Sequence, residues 1–154
     1  MNPNDLLNQL LSIEKLCVTS SEFVGVEQLH LVVESTLAVA ICPECQQVCE
    51  HVHDLSEAQL VRDLPMAARR CALNYRARRF ECPHCRKTFV ERVAWKRPGV
   101  NYTLRYEQHI YQRARQEPVS QVAHDEGLSE EAVQAIFEQW AKKRLPHAGS
   151  HRSK

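Results

Sequence analysis

Two short cysteine pairs constrain this chain more than any other feature of its sequence. Cys42-Pro43-Glu44-Cys45 and Cys82-Pro83-His84-Cys85 share the pattern C-P-x-C, and 36 residues separate them. A tight turn with this spacing brings two thiolates to one metal ion, and two such turns complete the closed, tetrahedral four-sulfur shell of a structural zinc ion. The sequence therefore predicts one bound Zn²⁺. Its predicted ligands are Cys42, Cys45, Cys82 and Cys85.

The other cysteines and nearby histidines bear on how this ion is held. The chain has seven cysteines, and this odd number disfavours a disulfide framework. Cys17 and Cys71 lie in strand-like runs, where a buried thiol acts as a small apolar group. Four further side chains lie close to the two pairs in sequence, and any of them could replace one ligand. They are Cys49, His51, His53 and His84.

The start of the chain argues against export and membrane insertion. Asp5 stands where a signal peptide carries Lys or Arg, and no extended apolar core follows it. No apolar run approaches the roughly 20 residues that span a bilayer. We therefore expect a cytoplasmic protein without a membrane partner. We also expect no small-molecule substrate.

The pattern of apolar residues predicts an α+β fold that begins with a β-rich part. Leucines at helical spacing predict a short helix over residues 6–11. A turn is predicted at 63–65, and alternation of apolar and polar residues predicts one strand over 70–80. Runs rich in Val, Ile and Leu predict three earlier strands, at 23–26, 29–33 and 37–41.

A change in pattern at Arg97-Pro98-Gly99 predicts a second unit. Pro and Gly punctuate the chain there, and apolar residues beyond it recur three and four residues apart. The helices predicted are 104–116, 119–126 and 129–144. The domains expected are a zinc-ribbon-like β unit over 1–97, a helix-turn-helix unit over 98–145 and a disordered tail over 146–154.

Charge is distributed unevenly along the chain. Residues 1–61 carry one base against nine acids, whereas residues 62–97 carry eleven bases against three acids. Such a basic segment is typical of a protein that binds a polyanion, although a solvated strand surface is the alternative. On the predicted strand, the even spacing of Arg70, Arg76 and Arg78 predicts that all three project from one face. The DNA contacts expected from this segment are Arg70, Arg76, Arg78 and Arg79.

Residues 119–138 have the spacing of a helix-turn-helix motif. A close helix crossing needs the small Ala123, and the turn needs Gly127 for its positive φ. Ser129 can cap the next helix. Glu126 departs from the pattern, because such motifs usually have an apolar residue there. An ordinary three-helix bundle shows some of the same spacing and is the alternative.

The predicted recognition helix carries few cations. Carboxylates on its exposed face would repel phosphate unless they met a cytosine amino group. These face residues are Glu130, Glu131, Gln134 and Glu138. Gln134 can read adenine, and two later lysines can contact the DNA backbone, so the contacts expected from this unit are Gln134, Lys142 and Lys143. The acidic face indicates either that this helix binds DNA weakly or that it serves dimerisation instead.

The order of these motifs resembles a known family. C-P-E-C is followed by R-D-L-P, by R-R-F-E-C-P-H-C, by T-F-V-E-R and then by the helix-turn-helix spacing. Over roughly residues 6–145 the chain resembles the N-terminal part of bacterial insertion-sequence transposases of the ISL family. The resemblance implies that both units recognise double-stranded DNA at the terminal inverted repeats of the element. It also implies a second copy, or a full-length transposase, as the protein partner.

The resemblance does not extend to catalysis. Members of this family continue into a domain of ribonuclease-H type, in which three carboxylates hold two divalent metal ions for strand transfer. The residues after Arg144 leave no room for it, so we expect a truncated transposase that is not an enzyme. Two other functions compete with this interpretation. They are a zinc-stabilised protein interaction module and a transcriptional regulator with similar DNA contacts.

Overall fold

The computed structural model describes residues 2–152, and of residues 144–152 it describes the backbone only. The chain divides into two compact units, Met1–Thr103 and Leu104–Lys154. Strands dominate the first unit and helices the second, which confirms the α+β class. No described helix is long and apolar enough to cross a membrane. Residues 146–152, predicted as part of a disordered tail, have a helical backbone that continues the last helix, and residues 153–154 lie outside the described part of the chain.

The first unit begins with a capped helix and continues as strands. The side chain of Asn2 accepts a hydrogen bond from the backbone N–H of Asp5, and the side chain of Asp5 accepts one from the backbone N–H of Asn2. Pro3 occupies the first helical turn. This confirms the predicted N-terminal helix, α1 (Pro3–Leu11). The strands that follow are β1 (Leu16–Val24), β2 (Gln28–Ser35), β3 (Ala40–Ile41), β4 (Val48–Cys49), β5 (Val52–Leu55), β6 (Gln59–Met66), β7 (Arg69–Tyr75), β8 (Arg78–Glu81) and β9 (Thr88–Val90).

These strands form three sheets. The largest has the order β1-β2-β7-β6, in which β2 and β7 are parallel and the other pairs antiparallel. Its inner face packs Leu31, Val61 and Leu73, all fully buried, against Leu11 of α1 and against Trp95. The two smaller sheets, β3-β4 and β5-β8-β9, surround a separate core that contains the paired cysteines.

The turn predicted at 63–65 is wrong. These residues lie inside β6, where the pairing with β7 shifts register between Asp63 and Met66 and so accommodates Pro65. The chain reverses two residues later, at Ala67 and Ala68, which have φ of 51° and 63°. Such a two-residue hairpin needs positive φ, and the sequence concealed it because alanine rarely adopts that conformation.

The single strand predicted over 70–80 is also wrong. It is two strands, since β7 ends at Tyr75 in the large sheet and β8 begins at Arg78 in the sheet β5-β8-β9, the zinc-side sheet. At the break, the carbonyl oxygen of Ala77 accepts from the backbone N–H of Ser56 at 2.7 Å. Arg70, Arg76 and Arg78 therefore do not share one strand face. Of the early predicted strands, 29–33 lies within β2, and 23–26 covers the end of β1 and the turn after it. In the strand predicted over 37–41, only residues 40 and 41 form a strand, which is β3.

The segment after the predicted boundary still belongs to the first unit. The backbone N–H of Arg62 donates to the carbonyl oxygen of Asn101, and the N–H of Thr103 donates to that of Arg62, both at 2.9 Å. The hydroxyl of Thr103 donates to the buried carboxylate of Asp63 at 2.8 Å. These bonds attach residues 101–103 to β6. The division therefore falls after Thr103 rather than after Arg97.

The second unit has the three predicted helices, α2 (Leu104–Ala114), α3 (Val119–Glu126) and α4 (Glu130–Arg152). Gly127 ends α3 with φ of 69°, and the backbone N–H of Leu128 then donates to the carbonyl oxygen of Ala123. The hydroxyl of Ser129 accepts from the N–H of Ala132 at 3.0 Å at the start of α4. The roles predicted for Gly127 and Ser129 are thus confirmed.

Candidate metal centre and nucleic-acid interface

The two C-P-x-C turns have the same backbone geometry. In the first, the N–H of Cys42 donates to the carbonyl oxygen of Gln47, and the N–H of Gln46 donates to that of Cys42. In the second, Cys82 pairs in the same way with Lys87 and Arg86, and all four distances are 2.9 Å. Gln46 and Arg86 both have φ of 64°. Each turn therefore presents its two thiols in the same arrangement.

The two turns bring the four predicted ligands together. The Sγ atoms of Cys42 and Cys85 lie 3.6 Å apart, those of Cys45 and Cys82 lie 3.4 Å apart, and all four lie within 4.8 Å of one another. Four sulfurs at about 2.3 Å from a zinc ion would be separated by about 3.8 Å in a regular tetrahedron. The donor set therefore fits Zn²⁺ in chemistry and in spacing. Cys42 and Cys82 are fully buried, so the site is closed to water on that side.

The peptide dipoles of the second turn favour a thiolate. The backbone N–H of Cys85 is the main cause that lowers the pKa of Cys82 to about 6, and the N–H of His84 acts in the same direction against the effect of burial. A thiol with this pKa is ionised at neutral pH. Since the thiolate is the form that binds metal, Cys82 is prepared for the ion. In the same turn the backbone N–H of Lys87 lowers the pKa of Cys85, but burial and the neighbouring thiols outweigh it and raise that pKa above its ordinary value.

The alternative ligands lie outside the group of four. Among the side chains of residues 2–143, the ligand atoms that cluster at metal-binding distance are those of the four paired cysteines alone. Cys49 is fully buried in the same core, its thiol donates to the carbonyl oxygen of Gln47 at 3.5 Å, and burial raises its pKa. His51, His53 and His84 are exposed. Cys71 is buried in the core of the large sheet, as predicted.

A buried carboxylate joins the zinc-side sheet to the large sheet. Glu91, which follows β9, accepts hydrogen bonds from the hydroxyls of Tyr75 at 2.8 Å and Ser35 at 2.9 Å. It also accepts from the backbone N–H of Arg78 at 2.9 Å and from its guanidinium at 3.2 Å. Burial raises the pKa of Tyr75, so its hydroxyl remains a donor to Glu91. No sequence signal identified this cluster, because its members are distant along the chain.

The arginines predicted to contact DNA have different environments. Arg78 is held by Glu91 and by the carbonyl oxygen of Leu37, and its side chain is only 19% exposed. Arg79 makes a two-point contact with Asp54 across β5 and β8, with Nε–Oδ1 at 2.6 Å and Nη2–Oδ2 at 3.0 Å. Arg76 is exposed and donates to the carbonyl oxygen of Ser56 at 2.8 Å, and Arg70 is exposed on β7. The four side chains thus differ in how accessible they are to a ligand, and their contact with DNA stays a prediction.

The face of α4 is acidic, as its sequence predicts. Glu130, Glu131, Gln134 and Glu138 are all exposed, and they line a shallow groove with Val119 of α3. The side-chain amide of Gln134 donates to the carboxylate of Glu138 at 3.0 Å, so adenine would have to compete for that donor. The other two predicted contacts of this unit, Lys142 and Lys143, are exposed further along α4.

The structure explains why Glu126 replaces an apolar residue. Its carboxylate accepts from the hydroxyl of Tyr106 at 2.7 Å and contacts His109 Nε2 at 3.0 Å and Arg113 at 3.1 Å. Arg113 also pairs with Glu117 at 2.6 Å and Asp125 at 2.8 Å. This network links the end of α3 to α2 by polar contacts, whereas other helix-turn-helix motifs have an apolar residue at the position of Glu126.

The Glu126 network predicts a pH dependence of the helical unit. Burial raises the pKa of Glu126, but the hydrogen bonds from Tyr106, His109 and Arg113 outweigh it and hold the pKa below its ordinary value of 4.5. Because the folded-state pKa is depressed, the stabilisation is complete above pH 4.5 and is lost as pH falls through the folded-state value. The protection factors of the α3 amides, which correct for the slower intrinsic exchange at low pH, should therefore fall on acidification, and Glu126→Gln should reduce that fall. Glu138→Gln, which removes an exposed carboxylate, is the control, and an equal effect of both variants would contradict the prediction.

Comparisons with known proteins agree with this geometry. Residues 38–85 match the zinc-finger of transposase IS204/IS1001/IS1096/IS1165, and residues 91–141 match the helix-turn-helix domain of transposase family ISL3. The transposase for insertion sequence element IS1001 of Bordetella parapertussis is 34% identical over 67 residues. The matched region is 44% of the length of this chain and 16% of the length of that relative. No solved structure matches the chain.

The matched ranges coincide with the two features built above. The zinc-finger match contains all four clustered cysteines, and the helix-turn-helix match contains α2, α3 and the turn at Gly127. The resemblance to the N-terminal part of an ISL-family transposase is therefore confirmed, and so is the structural zinc site. Two segments of this chain are thus similar, in that order along the sequence, to the zinc-finger and the helix-turn-helix domain of ISL3-family transposases.

Proposed function

We propose that this chain is a zinc-dependent DNA-binding protein that recognises the terminal inverted repeats of an insertion sequence. One observation carries the proposal: a zinc finger and a helix-turn-helix domain of one transposase family follow each other in the chain. Zinc has a structural role here, because its four thiolate ligands leave no position for water or substrate. The proposed partners are double-stranded DNA and a second copy or a full-length transposase, and the proposed location is the cytoplasm.

The charge of the first unit supports binding to a polyanion. Residues 62–97 carry eleven bases and three acids, and the structure buries two of those acids, Asp63 and Glu91. Exposed cations neutralise phosphates and release counterions, which supplies affinity that does not depend on sequence. Base recognition must then come from side chains that reach base edges, and Gln134 on α4 is the residue proposed for it.

The salt dependence of binding tests the proposal. We expect purified, zinc-loaded protein to bind a labelled duplex that carries the repeats flanking its gene, and to bind a scrambled duplex more weakly at every salt concentration. If five or more phosphates are neutralised, the slope of log K against log salt should be steeper than about −4. Fluorescence anisotropy over about 50 to 200 mM salt measures the affinity for each duplex and the slope of log K against log salt.

A protein interaction module is the second candidate function. The observation that favours it is the acidic face of α4, where Glu130 and Glu131 are exposed and have no side-chain partner in the described part of the chain. Such a face repels phosphate and attracts a basic protein surface. Absence of DNA binding at low salt, or a flat salt slope with equal binding of both duplexes, would favour this candidate over DNA recognition.

A further inference from the structure

The two ends of strand β9 carry exposed cations that the protein does not use internally. Arg86 precedes the strand and Arg92 follows it, and both side chains are exposed. Within residues 2–143, neither guanidinium has a hydrogen-bond or ion-pair partner. Lys87, next to Arg86, is 65% exposed and makes only a 3.5 Å contact with Glu44, which is itself 59% exposed. An exposed pair of this kind contributes little to stability, so Lys87 is available to a ligand.

The chain segment that contains β9 is almost entirely positive, and the nearest acids outside it are Glu81, opposite Thr88, and Glu44, beside Lys87. Residues 86–97 contain five cations and one acid, and that acid is Glu91. Its carboxylate is fully buried and already accepts hydrogen bonds from Arg78, Tyr75 and Ser35. The acid therefore does not cancel the field that the exposed cations of this segment present to solvent.

Strand β9 also has a free edge. It is the last strand in the order β5-β8-β9, so its outer edge has no neighbouring strand. Two grooves adjoin its C-terminal end, and Phe89, Val90 and Arg92 line both of them. From Lys87 to Arg92 the chain spans at most about 17 Å at about 3.3 Å per residue. That span exceeds the width of about 12 Å of the major groove of B-DNA.

From these observations we propose that the edge of β9 is the phosphate-contacting surface of the zinc finger, with Arg86 and Lys87 at one end and Arg92 at the other. This inference rests on the proposed DNA-binding function and names the residues that serve it. Arg78 and Arg79 would first have to leave Glu91 and Asp54, whereas Arg86 and Arg92 lose no internal partner on binding phosphate and Lys87 loses only an exposed contact with Glu44. Backbone N–H groups and the exposed Thr88 at the edge add further donors to phosphate oxygens.

Two charge-matched variants test the assignment. Arg86→Ala/Arg92→Ala removes two exposed guanidiniums at β9, and Arg70→Ala/Arg76→Ala removes two exposed guanidiniums elsewhere in the same unit. We expect the first variant to bind duplex DNA more than about tenfold more weakly at low salt and to flatten the salt slope by about two. We expect the second, which removes two of the DNA contacts predicted from the sequence, to weaken binding and flatten the salt slope by less than the first does. Arg86→Lys/Arg92→Lys should restore most of the lost binding, because charge rather than shape makes the contact.

The outcomes separate this inference from the function on which it rests. Zinc content of about one equivalent and an unchanged melting curve would show that each variant is folded. If the Arg70/Arg76 variant loses as much binding as the Arg86/Arg92 variant, or more, the β9 edge is not the contact surface, although DNA binding stands. If wild-type protein binds no DNA, the proposed function itself fails.

Discussion

Replacing Cys82 with serine should reduce bound zinc from about one equivalent to less than half. Cys82 is fully buried, and its sulfur lies 3.4 Å from that of Cys45 within the group of four. A serine hydroxyl is a poor ligand for zinc and leaves an open, three-sulfur site. Since structural zinc sites contribute about 10–16 kcal/mol of binding free energy to folding, the smaller sheets should unfold with the loss of metal. Metal analysis and far-ultraviolet circular dichroism of purified protein measure both effects.

Cys49→Ser is the matched control for this experiment. Cys49 is as buried as Cys82 and belongs to the same core, but its sulfur lies outside the group of four. The same chemical change should therefore leave zinc near one equivalent and cost only local packing. Full zinc in the Cys82 variant would show that Cys82 is not a required ligand, and loss of zinc in a Cys49 variant with an unchanged circular dichroism spectrum would show that Cys49 takes part in the site.

Glu91→Ala should destabilise the first unit by about 3–5 kcal/mol, because it leaves the partly buried guanidinium of Arg78 without its carboxylate. The hydroxyl of Tyr75 loses its acceptor at the same time. Chemical denaturation of the zinc-loaded protein, followed by circular dichroism, measures the free energy of unfolding. The double variant Glu91→Leu/Arg78→Met should recover part of the loss, since removing both charges costs less than removing one.

Asp54→Ala is the control for an ion pair at the surface. Asp54 and Arg79 make a similar two-point contact, but their side chains are 44% and 40% exposed. Water and salt screen such a pair, so this variant should leave the denaturation midpoint unchanged. If Glu91→Ala is as mild as Asp54→Ala, the buried network does not hold the two sheets together.

Features set by neighbouring residues were readable from the sequence. The zinc ligands were predicted correctly because each C-P-x-C turn positions its own two thiols through backbone bonds within six residues, and only the meeting of two turns is long-range. The turn of the helix-turn-helix was predicted for the same reason. Gly127 supplies its positive φ and Ser129 its cap, and both are local requirements.

What the sequence did not determine is which charged groups are available to a ligand. Arg70, Arg76, Arg78 and Arg79 are chemically alike, and an alternating pattern placed three of them on one strand face. Tertiary structure divides that strand, because Tyr75 is buried in the large core and Phe80 in the zinc-side core. Folding then brings Glu91 to Arg78 and Asp54 to Arg79, from 13 and 25 residues away. A cation's partner depends on which sheets pack together, so only the folded chain decides that Arg86 and Arg92 remain free among the described residues.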